Sequence, residues 1–524
     1  MGKRRKRERQ EELWIASDAI VEAPGHAFYE RLNELLARHG FDRAVEHLCG
    51  RFYRGVRGRP SMAPGVYFRM LLIGYFEGLD SERAIAWRVA DSLSLRKFLG
   101  YGLDERTPDH STISRTRRLY WLSTHRAVFR WVLKVLVDEG LLRGKTISID
   151  ATTLEANAAL RSIVRRDTGA EYEEYLRRLA EEAGLESPTR EELARFDRKR
   201  KKKMSNQEWT HPQDPDARIT KMKDGRTHLA HKAEHAVDLD TGALMAVTLQ
   251  PADVGDTTTI FETLEEAQAA AEELGMEPIR EVVADKGYHG NDVMVRLATQ
   301  DGVRSYVSEP DRGRRCWKGK REQQQRVYAN RRRLRGNRGK RLQKKRAELI
   351  ERSFAHTYET GGMRRLFLRG RDNALKRLLV HDAGFNLSLL LRTALGVGTP
   401  RQASKRLSDP LFALFSRLSS AHTVAITPLR LFRASIASRL APSAPILSVP
   451  SVARISAFCH GLLGAVVQGL AVRCHHISER SAHDANAESC PVSRSVRILS
   501  ASGVRAHVPS LPVSSAGRLN RSLN

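Results

Sequence analysis

Two aspartates follow short apolar runs in a way that suits a metal or phosphate site. Asp150 follows residues 147–149 (Ile-Ser-Ile), whose β-branched character predicts a strand that ends at Asp150. Asp285 follows residues 282–284 (Val-Val-Ala), and Gly287 after it permits a tight turn. If the two strands are neighbours, both carboxylates lie at the carboxyl edge of one sheet, where α/β proteins place ligand sites.

A third acid, Glu351, lies in a predicted helix in which Ile350 and Phe354 should pack on the sheet. Three gathered carboxylates repel one another unless a cation lies among them, and hard ions such as Mg²⁺ or Mn²⁺ prefer oxygen ligands. Two such ions would stabilise the attacking and leaving oxygens of an in-line phosphoryl transfer. Taken singly, each acid also fits a turn or an exposed helix position; the set, together with the basic segments, favours the metal site.

The elements that must position these acids form two regions. Residues 26–38, 64–77, 81–93 and 117–138 have helical periodicity. After residue 145 the order is strand, insertion, two strands, helix, strand, helix, strand, helix, which predicts an α/β fold with a mixed sheet. The predicted organisation is a disordered basic segment (1–24), a helical domain (25–140), a catalytic domain (141–398) with charged insertions at about 158–227 and 311–340, and a low-complexity tail (399–524).

The net charge of +28 makes nucleic acid the expected partner, because Lys and Arg release counterions from phosphates. The five cysteines form no CxxC pair, so neither a disulfide framework nor a zinc site is indicated and a cytoplasmic setting is expected. No apolar run is long enough to predict a membrane helix. His228, His231, Glu234 and His235 lie close together but lack the partners and spacing of a zinc motif, so polar strand positions near DNA or the acids are favoured. In a strand, His231 and His235 share one face and Glu234 takes the other.

Two segments are predicted to contact DNA. Residues 107–118 read as a turn followed by a capped helix rich in Ser, Thr and Arg, a composition that suits a DNA groove as well as an ordinary helix start. Residues 311–346 hold 17 Lys or Arg against 2 acids, and nearby aromatics such as Trp209, Trp317 and Tyr328 could stack on unpaired bases. The candidate DNA-binding residues are Ser111, Ser114, Arg115, Arg117, Arg118, Lys286, Arg331, Arg332, Arg333, Arg346 and Arg352.

Several stretches together resemble the DDE transposases of bacterial insertion sequences. They are residues 61–65 through 107–115, Ile149-Asp150-Ala151-Thr152, Ala284-Asp285-Lys286-Gly287-Tyr288, and Glu351-Arg352-Ser353-Phe354-Ala355 continuing to Leu368-Arg369-Gly370. The resemblance covers roughly residues 25–398. It implies a ribonuclease-H-like mixed sheet with flanking helices behind an all-helical N-terminal domain.

By this resemblance Asp150, Asp285 and Glu351 are the catalytic acids and hold two Mg²⁺ or Mn²⁺ ions. The implied reaction is cleavage and strand transfer at insertion-sequence ends. Double-stranded transposon ends and target DNA are the implied partners, and a homodimer or higher multimer in the bacterial cytoplasm, at the nucleoid, is expected. Some relatives place a Tyr and an Arg before the glutamate and a Lys after it; that signature is incomplete here, so Glu348 and Glu359 stay open as rivals for the third acid.

Two other functions fit the same residues. One is a ribonuclease-H-like nuclease that cleaves DNA with water and joins nothing. The other is a decayed or repurposed DNA-binding protein, an alternative kept open by the acid-poor tail, whose composition would also suit an altered reading frame.

Overall fold

The computed structural model describes residues 26–53, 61–200, 204–311, 313 and 315–407. The predicted disordered segment (1–24) and the tail beyond residue 407 lie outside these residues, and so do positions 201–203 of the first charged insertion. Within the described part, no helix is both long and apolar enough to cross a membrane.

Among the described residues, seven α-helices precede the sheet. They are α1 (Ala27–Arg38), α2 (Phe41–Cys49), α3 (Pro64–Glu77), α4 (Glu82–Ala90), α5 (Leu93–Leu99), α6 (His110–Leu119) and α7 (Leu122–Asp138). Helix α3 begins with a proline, which suits the first turn, and ends at Gly78, whose φ of 69° is the left-handed conformation of a C-terminal cap. Nearly all of its side chains are buried, so α3 is the centre of this helical region.

Two predicted helices of this region are each split in two. The predicted helix 81–93 becomes α4 and α5, because the Ser92 side chain accepts from the backbone N–H of Leu95 and starts a new helix. The predicted helix 117–138 is interrupted at Tyr120, whose ring is buried beside Phe68.

Eight strands of the described chain form a mixed sheet and a small ribbon. They are β1 (Thr146–Glu155), β2 (Val164–Arg165), β3 (Trp209–Thr210), β4 (Arg218–Lys221), β5 (Thr227–Asp238), β6 (Leu244–Pro251), β7 (Glu281–Ala284) and β8 (Arg304–Val307). The main sheet has the order β4-β5-β1-β7-β8, and β6 also pairs with β5. Strands β1, β7 and β8 are parallel, whereas β5 is antiparallel to β1, β4 and β6. Strands β2 and β3 pair with each other inside the insertion.

Eight further helices follow β1 in the described part of the chain. They are α8 (Tyr172–Glu182), α9 (Arg190–Lys199), α10 (Asp256–Glu273), α11 (Asn291–Thr299), α12 (Arg321–Arg335), α13 (Asn337–Phe354), α14 (Arg371–Leu395) and α15 (Pro400–Leu407). A π-helical turn, Ala355–Thr360, continues α13. Helix α12 lies where the sequence predicted only a charged insertion, and α15 lies in the predicted low-complexity tail.

Neighbouring residues of β5 show which helices cover which face of the sheet. The Glu234 carboxylate accepts from Thr259 and Thr263 of α10, so α10 covers one face. His235 points to the other face and contacts Ser353 of α13.

Helix α14 joins the helical region to the sheet. It packs on α3, α7 and β6. At Gly384 a Cβ atom would come within 2.5 Å of the ring of Tyr75, so only glycine allows this approach of α14 to α3. The Arg377 side chain is buried and donates to the carbonyl oxygen of Leu79. The two predicted domains therefore share one continuous apolar core.

Candidate active site

Strands β1 and β7 bring Asp150 and Asp285 together. Their parallel register pairs Ser148 with Val283, and each aspartate follows two residues later in the chain. Both carboxylates face one guanidinium: Nη2 of Arg346 lies 2.6 Å from Asp150 Oδ2 and 4.0 Å from Asp285 Oδ2. The sequence predicted that this strand ends at Asp150, and that prediction is wrong. β1 continues to Glu155, and Asp150 is accessible because β7 ends at Ala284.

Burial raises the pKa of Asp150 from 3.8 to about 6. Arg346 and the backbone N–H of Ala151, 2.9 Å from Asp150 Oδ1, oppose this rise, whereas the charges of Asp285 and Asp256 add to it. The pKa stays high although Arg346 is in contact. The site therefore favours additional positive charge beside Asp150.

The turn after β7 brings a third aspartate near the pair. The backbone N–H of Gly287 donates to Asp285 Oδ1 at 2.7 Å. A Cβ atom at Gly287 would lie 2.6 Å from Asp256 Oδ2 and 3.0 Å from Asp285 Oδ1, so any other residue here would displace the Asp256 carboxylate. Asp256 begins α10 and its Oδ1 accepts from Lys232 Nζ at 3.0 Å. The sequence analysis missed Asp256, because no local pattern indicates that the start of α10 reaches the turn after β7.

Glu351 is exposed on α13, five residues after Arg346. At 3.6 residues per turn it points about 140° away from Arg346 around the helix axis. Its rivals are both paired with arginines: Glu348 accepts from Arg352 at 2.6 Å, and Glu359 accepts from Arg364. Among the described residues, no group of three His, Cys, Asp or Glu side chains is placed so that it could hold a metal ion. The structure therefore assembles the two aspartates of the predicted triad and leaves Glu351 apart from them.

A buried polar group sets the position of α13 on the sheet. His235 lies opposite Asp150 in the pairing of β1 with β5. Its Nδ1 is 3.0 Å from the Ser353 hydroxyl and its Nε2 is 2.6 Å from the Tyr358 hydroxyl. Burial lowers the pKa of His235 to about 3, so the ring is neutral. These contacts hold the helix that carries Arg346 and Glu351.

The three histidines of β5 each contact a different partner. His228 contacts Asp224, His231 contacts Asp214, and His235 contacts α13. The polar-strand interpretation of these residues agrees with this arrangement.

The predicted DNA-binding residues fall into two groups. Arg115, Arg118, Lys286, Arg332 and Arg352 are exposed, and Ser111 and Ser114 are partly so. Arg117 is buried against Glu82 at 2.9 Å, because it faces α4. Arg331 forms a two-point ion pair with Glu309, and Arg333 donates to the Ser305 carbonyl oxygen at 2.9 Å. Trp209 is also buried, so it is not available for base stacking.

The sheet order, its flanking helices and the helical region before it define a ribonuclease-H-like catalytic fold. Two family models match the chain: "Transposase domain (DUF772)" over residues 17–119 and "Transposase DDE domain" over residues 145–383. Together they cover about two thirds of the sequence, and the chain belongs to the DDE transposases. No curated protein and no solved structure matches it.

Proposed function

We propose that this transposase cleaves DNA at the ends of its own insertion sequence and transfers the new 3′ ends to target DNA, in a metal-dependent reaction. The observation that carries this proposal is the approach of Asp150, within β1, and Asp285, just after β7, to one cation, Arg346. Carboxylates that share a cation in this way provide the anionic oxygen ligands that hard divalent ions require.

The metal ligands in this proposal are Asp150, Asp285 and Glu351. Burial is the main cause of the raised pKa of Asp150, and the nearby charges of Asp285 and Asp256 add to it, so a cation bound here would stabilise the grouped carboxylates. Two Mg²⁺ or Mn²⁺ ions, when bound, would stabilise the attacking and leaving oxygens of the phosphodiester. The chain's own residues orient the centre: the Gly287 N–H holds Asp285 and the Ala151 N–H holds Asp150. Arg346 lies beside both aspartates, and we expect its guanidinium to contact a DNA phosphate.

DNA is bound, in this proposal, by the exposed cations on several elements. Arg115 and Arg118 lie on α6, Lys286 lies in the turn beside Asp285, and Arg332 lies on α12. Both ends of an element must be cut together, so we expect a homodimer or higher multimer on DNA.

Removal of divalent ions gives the direct test of the reaction. With a duplex that contains the sequences flanking the coding region and a supercoiled target plasmid, Mg²⁺ or Mn²⁺ should yield nicked ends and joined products. EDTA should abolish both products without abolishing DNA binding. Nicking without joining would indicate a hydrolytic nuclease, and binding without nicking would indicate a DNA-binding protein; either result contradicts the proposal.

Arg332 and Arg333 form a matched pair for testing the contact of α12 with DNA. The Arg332→Ala variant should weaken DNA binding uniformly across sequences and lower the slope of log affinity against log salt by about 0.9, the value for one phosphate contact. The Arg333→Ala variant should instead lower the free energy of unfolding by about 1–3 kcal/mol, because it leaves Ser305 without its partner. Binding measured at several salt concentrations, and thermal unfolding, check both. An unchanged slope for Arg332→Ala would remove α12 from the DNA surface.

A further inference from the structure

A buried carboxylate, Glu234, joins the elements that carry the aspartates. Its side chain is on the face of β5 that α10 covers, and it is fully buried. Three hydroxyl groups donate to this carboxylate. Those of Thr259 and Tyr288 lie 2.9 and 2.8 Å from Oε1, and that of Thr263 contacts Oε2. A buried carboxylate is costly unless its oxygens accept hydrogen bonds, so each of these donors is held firmly in place.

Tyr288 connects Glu234 to the turn that carries Asp285. It ends the short helical turn Lys286–Tyr288, which directly follows Asp285. Its side chain is 1% exposed, and burial, together with the charge of Glu234, raises the pKa of its hydroxyl well above the usual value. The hydroxyl therefore keeps its proton and acts as the donor. Since β7 fixes the turn at its other end, the backbone N–H of Gly287 is held where it donates to Asp285.

The same face of β5 also fixes the start of α10. Thr259 lies one turn after Asp256 in this helix, so its hydrogen bond to Glu234 anchors the first turn. Lys232 lies two residues before Glu234 and shares its face. It donates to Asp256 Oδ1 at 3.0 Å and to the carbonyl oxygen of Val254 at 2.6 Å. Two side chains on one face of one strand therefore hold the start of α10 and the turn after β7.

The register of the sheet relates these contacts to Asp150. In the antiparallel pairing of β5 with β1, Glu234 lies opposite Ala151, the residue after Asp150. His235, the next residue of β5, lies opposite Asp150 and contacts α13 on the other face. Two adjacent residues of β5 thus fix elements on both faces of the sheet relative to Asp150.

We infer that Glu234 is a positioning residue for the metal centre: through Tyr288 it holds Asp285 where it can share divalent ions with Asp150. This inference rests on the proposed function and adds how the chain fixes the geometry of the ligands. Glu234 is buried and its oxygens accept from hydroxyl groups, so it acts through Tyr288 and not by contact with DNA or ions. A network that only stabilised the fold would have no particular effect on the affinity for ions.

Tyr288→Phe tests this role because it removes the hydroxyl and keeps the ring. The metal-free full chain is titrated with Mn²⁺ and its unfolding temperature is measured, a readout that requires no turnover. Tyr288→Phe should need at least about tenfold more Mn²⁺ than wild type for the same stabilisation, the lower end of the range for groups that orient metal ligands. The Mn²⁺ concentration for half-maximal DNA cleavage should rise by a similar factor.

Tyr306→Phe is the matched control on the same sheet. Tyr306 is 4% exposed, and its hydroxyl donates to the buried Glu281 at 3.2 Å. Glu281 begins β7, whereas Asp285 follows its last residue, so this bond lies at the other end of the strand. Tyr306→Phe should lower the unfolding temperature of the metal-free protein as Tyr288→Phe does, and it should keep the wild-type Mn²⁺ requirement.

Glu234→Gln and Glu234→Ala separate the hydrogen bonds of Glu234 from its charge. Glutamine keeps one oxygen that can accept from Tyr288 and Thr259, and its amide can donate to the Thr263 hydroxyl. Glu234→Gln should therefore stay within about threefold of the wild-type Mn²⁺ requirement, whereas Glu234→Ala should raise it at least as much as Tyr288→Phe. If Glu234→Ala does not fold, Tyr288→Phe decides.

An Mn²⁺ requirement of Tyr288→Phe within about twofold of wild type, or an equal rise in Tyr306→Phe, would overturn the inference. When wild type binds Mn²⁺ and cleaves DNA, such a result removes only the role of Glu234. A wild-type protein that Mn²⁺ does not stabilise would overturn the proposed metal-dependent function as well.

Discussion

Asp150→Asn and Asp285→Asn should each lower the rates of DNA cleavage and strand transfer by at least about a thousandfold, because the ion contribution is worth several kcal/mol. The amide keeps the shape of the carboxylate but removes the charge that would hold a divalent ion between β1 and β7. DNA affinity in EDTA should change by less than about twofold, since neither variant removes a cation from the surface. Cleavage rates under single-turnover conditions and binding by fluorescence anisotropy measure both effects.

The stability of Asp150→Asn separates loss of chemistry from loss of fold. The pKa of Asp150 is raised by burial to about 6, so the carboxyl stabilises the fold only while it is protonated. That contribution is present below about pH 4 and is lost as the pH rises through about 6. The ion pair with Arg346 is already included, because it is one cause of that pKa. Asparagine stays neutral, so above pH 6 in EDTA the variant should unfold at the same temperature as wild type or a higher one. Retained cleavage in a folded Asp150→Asn protein would exclude Asp150 from the site.

Local patterns in the sequence were enough to predict the elements that hold the aspartates. Helix α3 has the predicted bounds, because a proline and Gly78 mark its two ends. The alternation of β5 was sufficient to place Glu234 and His235 on opposite faces, and the contacts confirm this. Asp150 lies within β1 and Asp285 follows β7, so their meeting depends on the pairing of these two strands, which local patterns left as a condition.

Features that depend on tertiary contacts were not predictable. Helix α12 has a strongly charged sequence, yet it is anchored by Asn330, which exchanges hydrogen bonds with the backbone of Val307 at 3.0 and 2.8 Å. Arg117 was predicted to contact DNA, but it is buried because Glu82 from α4 lies beside it. Asp256 reaches the site only because α10 starts next to the turn after β7. None of these partners is near in the sequence.

The position of the third predicted acid, Glu351, was likewise not predictable from local sequence patterns. The sequence placed Glu351 on the helix that packs on the sheet, and α13 does contact β1, β5 and β7. The rotation of the helix, however, is set by the contact of Ser353 with the buried His235. This rotation directs Arg346 to the aspartates and leaves Glu351 exposed.

Four isosteric variants should identify the third acid. Glu351→Gln is expected to lower single-turnover cleavage by at least about a hundredfold, because an amide is a poor ligand for Mg²⁺. Glu348→Gln and Glu359→Gln should change cleavage by less than about threefold, because each of these exposed acids is committed to a surface ion pair, with Arg352 and Arg364 respectively.

Asp256→Asn is the competing variant, since Asp256 already lies against Asp285 across Gly287. If Glu351→Gln stays active and Asp256→Asn does not, the third acid is carried by α10 and the prediction for Glu351 is wrong.

Mn²⁺ titrations of the metal-free proteins add a readout that does not depend on turnover. The variant that removes a true ligand should need more Mn²⁺ to reach the same thermal stabilisation, because a ligand that binds only the folded state stabilises it according to its affinity. Glu351 is exposed in the absence of metal, so it can join the centre only if ion binding draws α13 inward. Mn²⁺ should therefore protect the amides of α13 against exchange, and Glu351→Gln should reduce that protection.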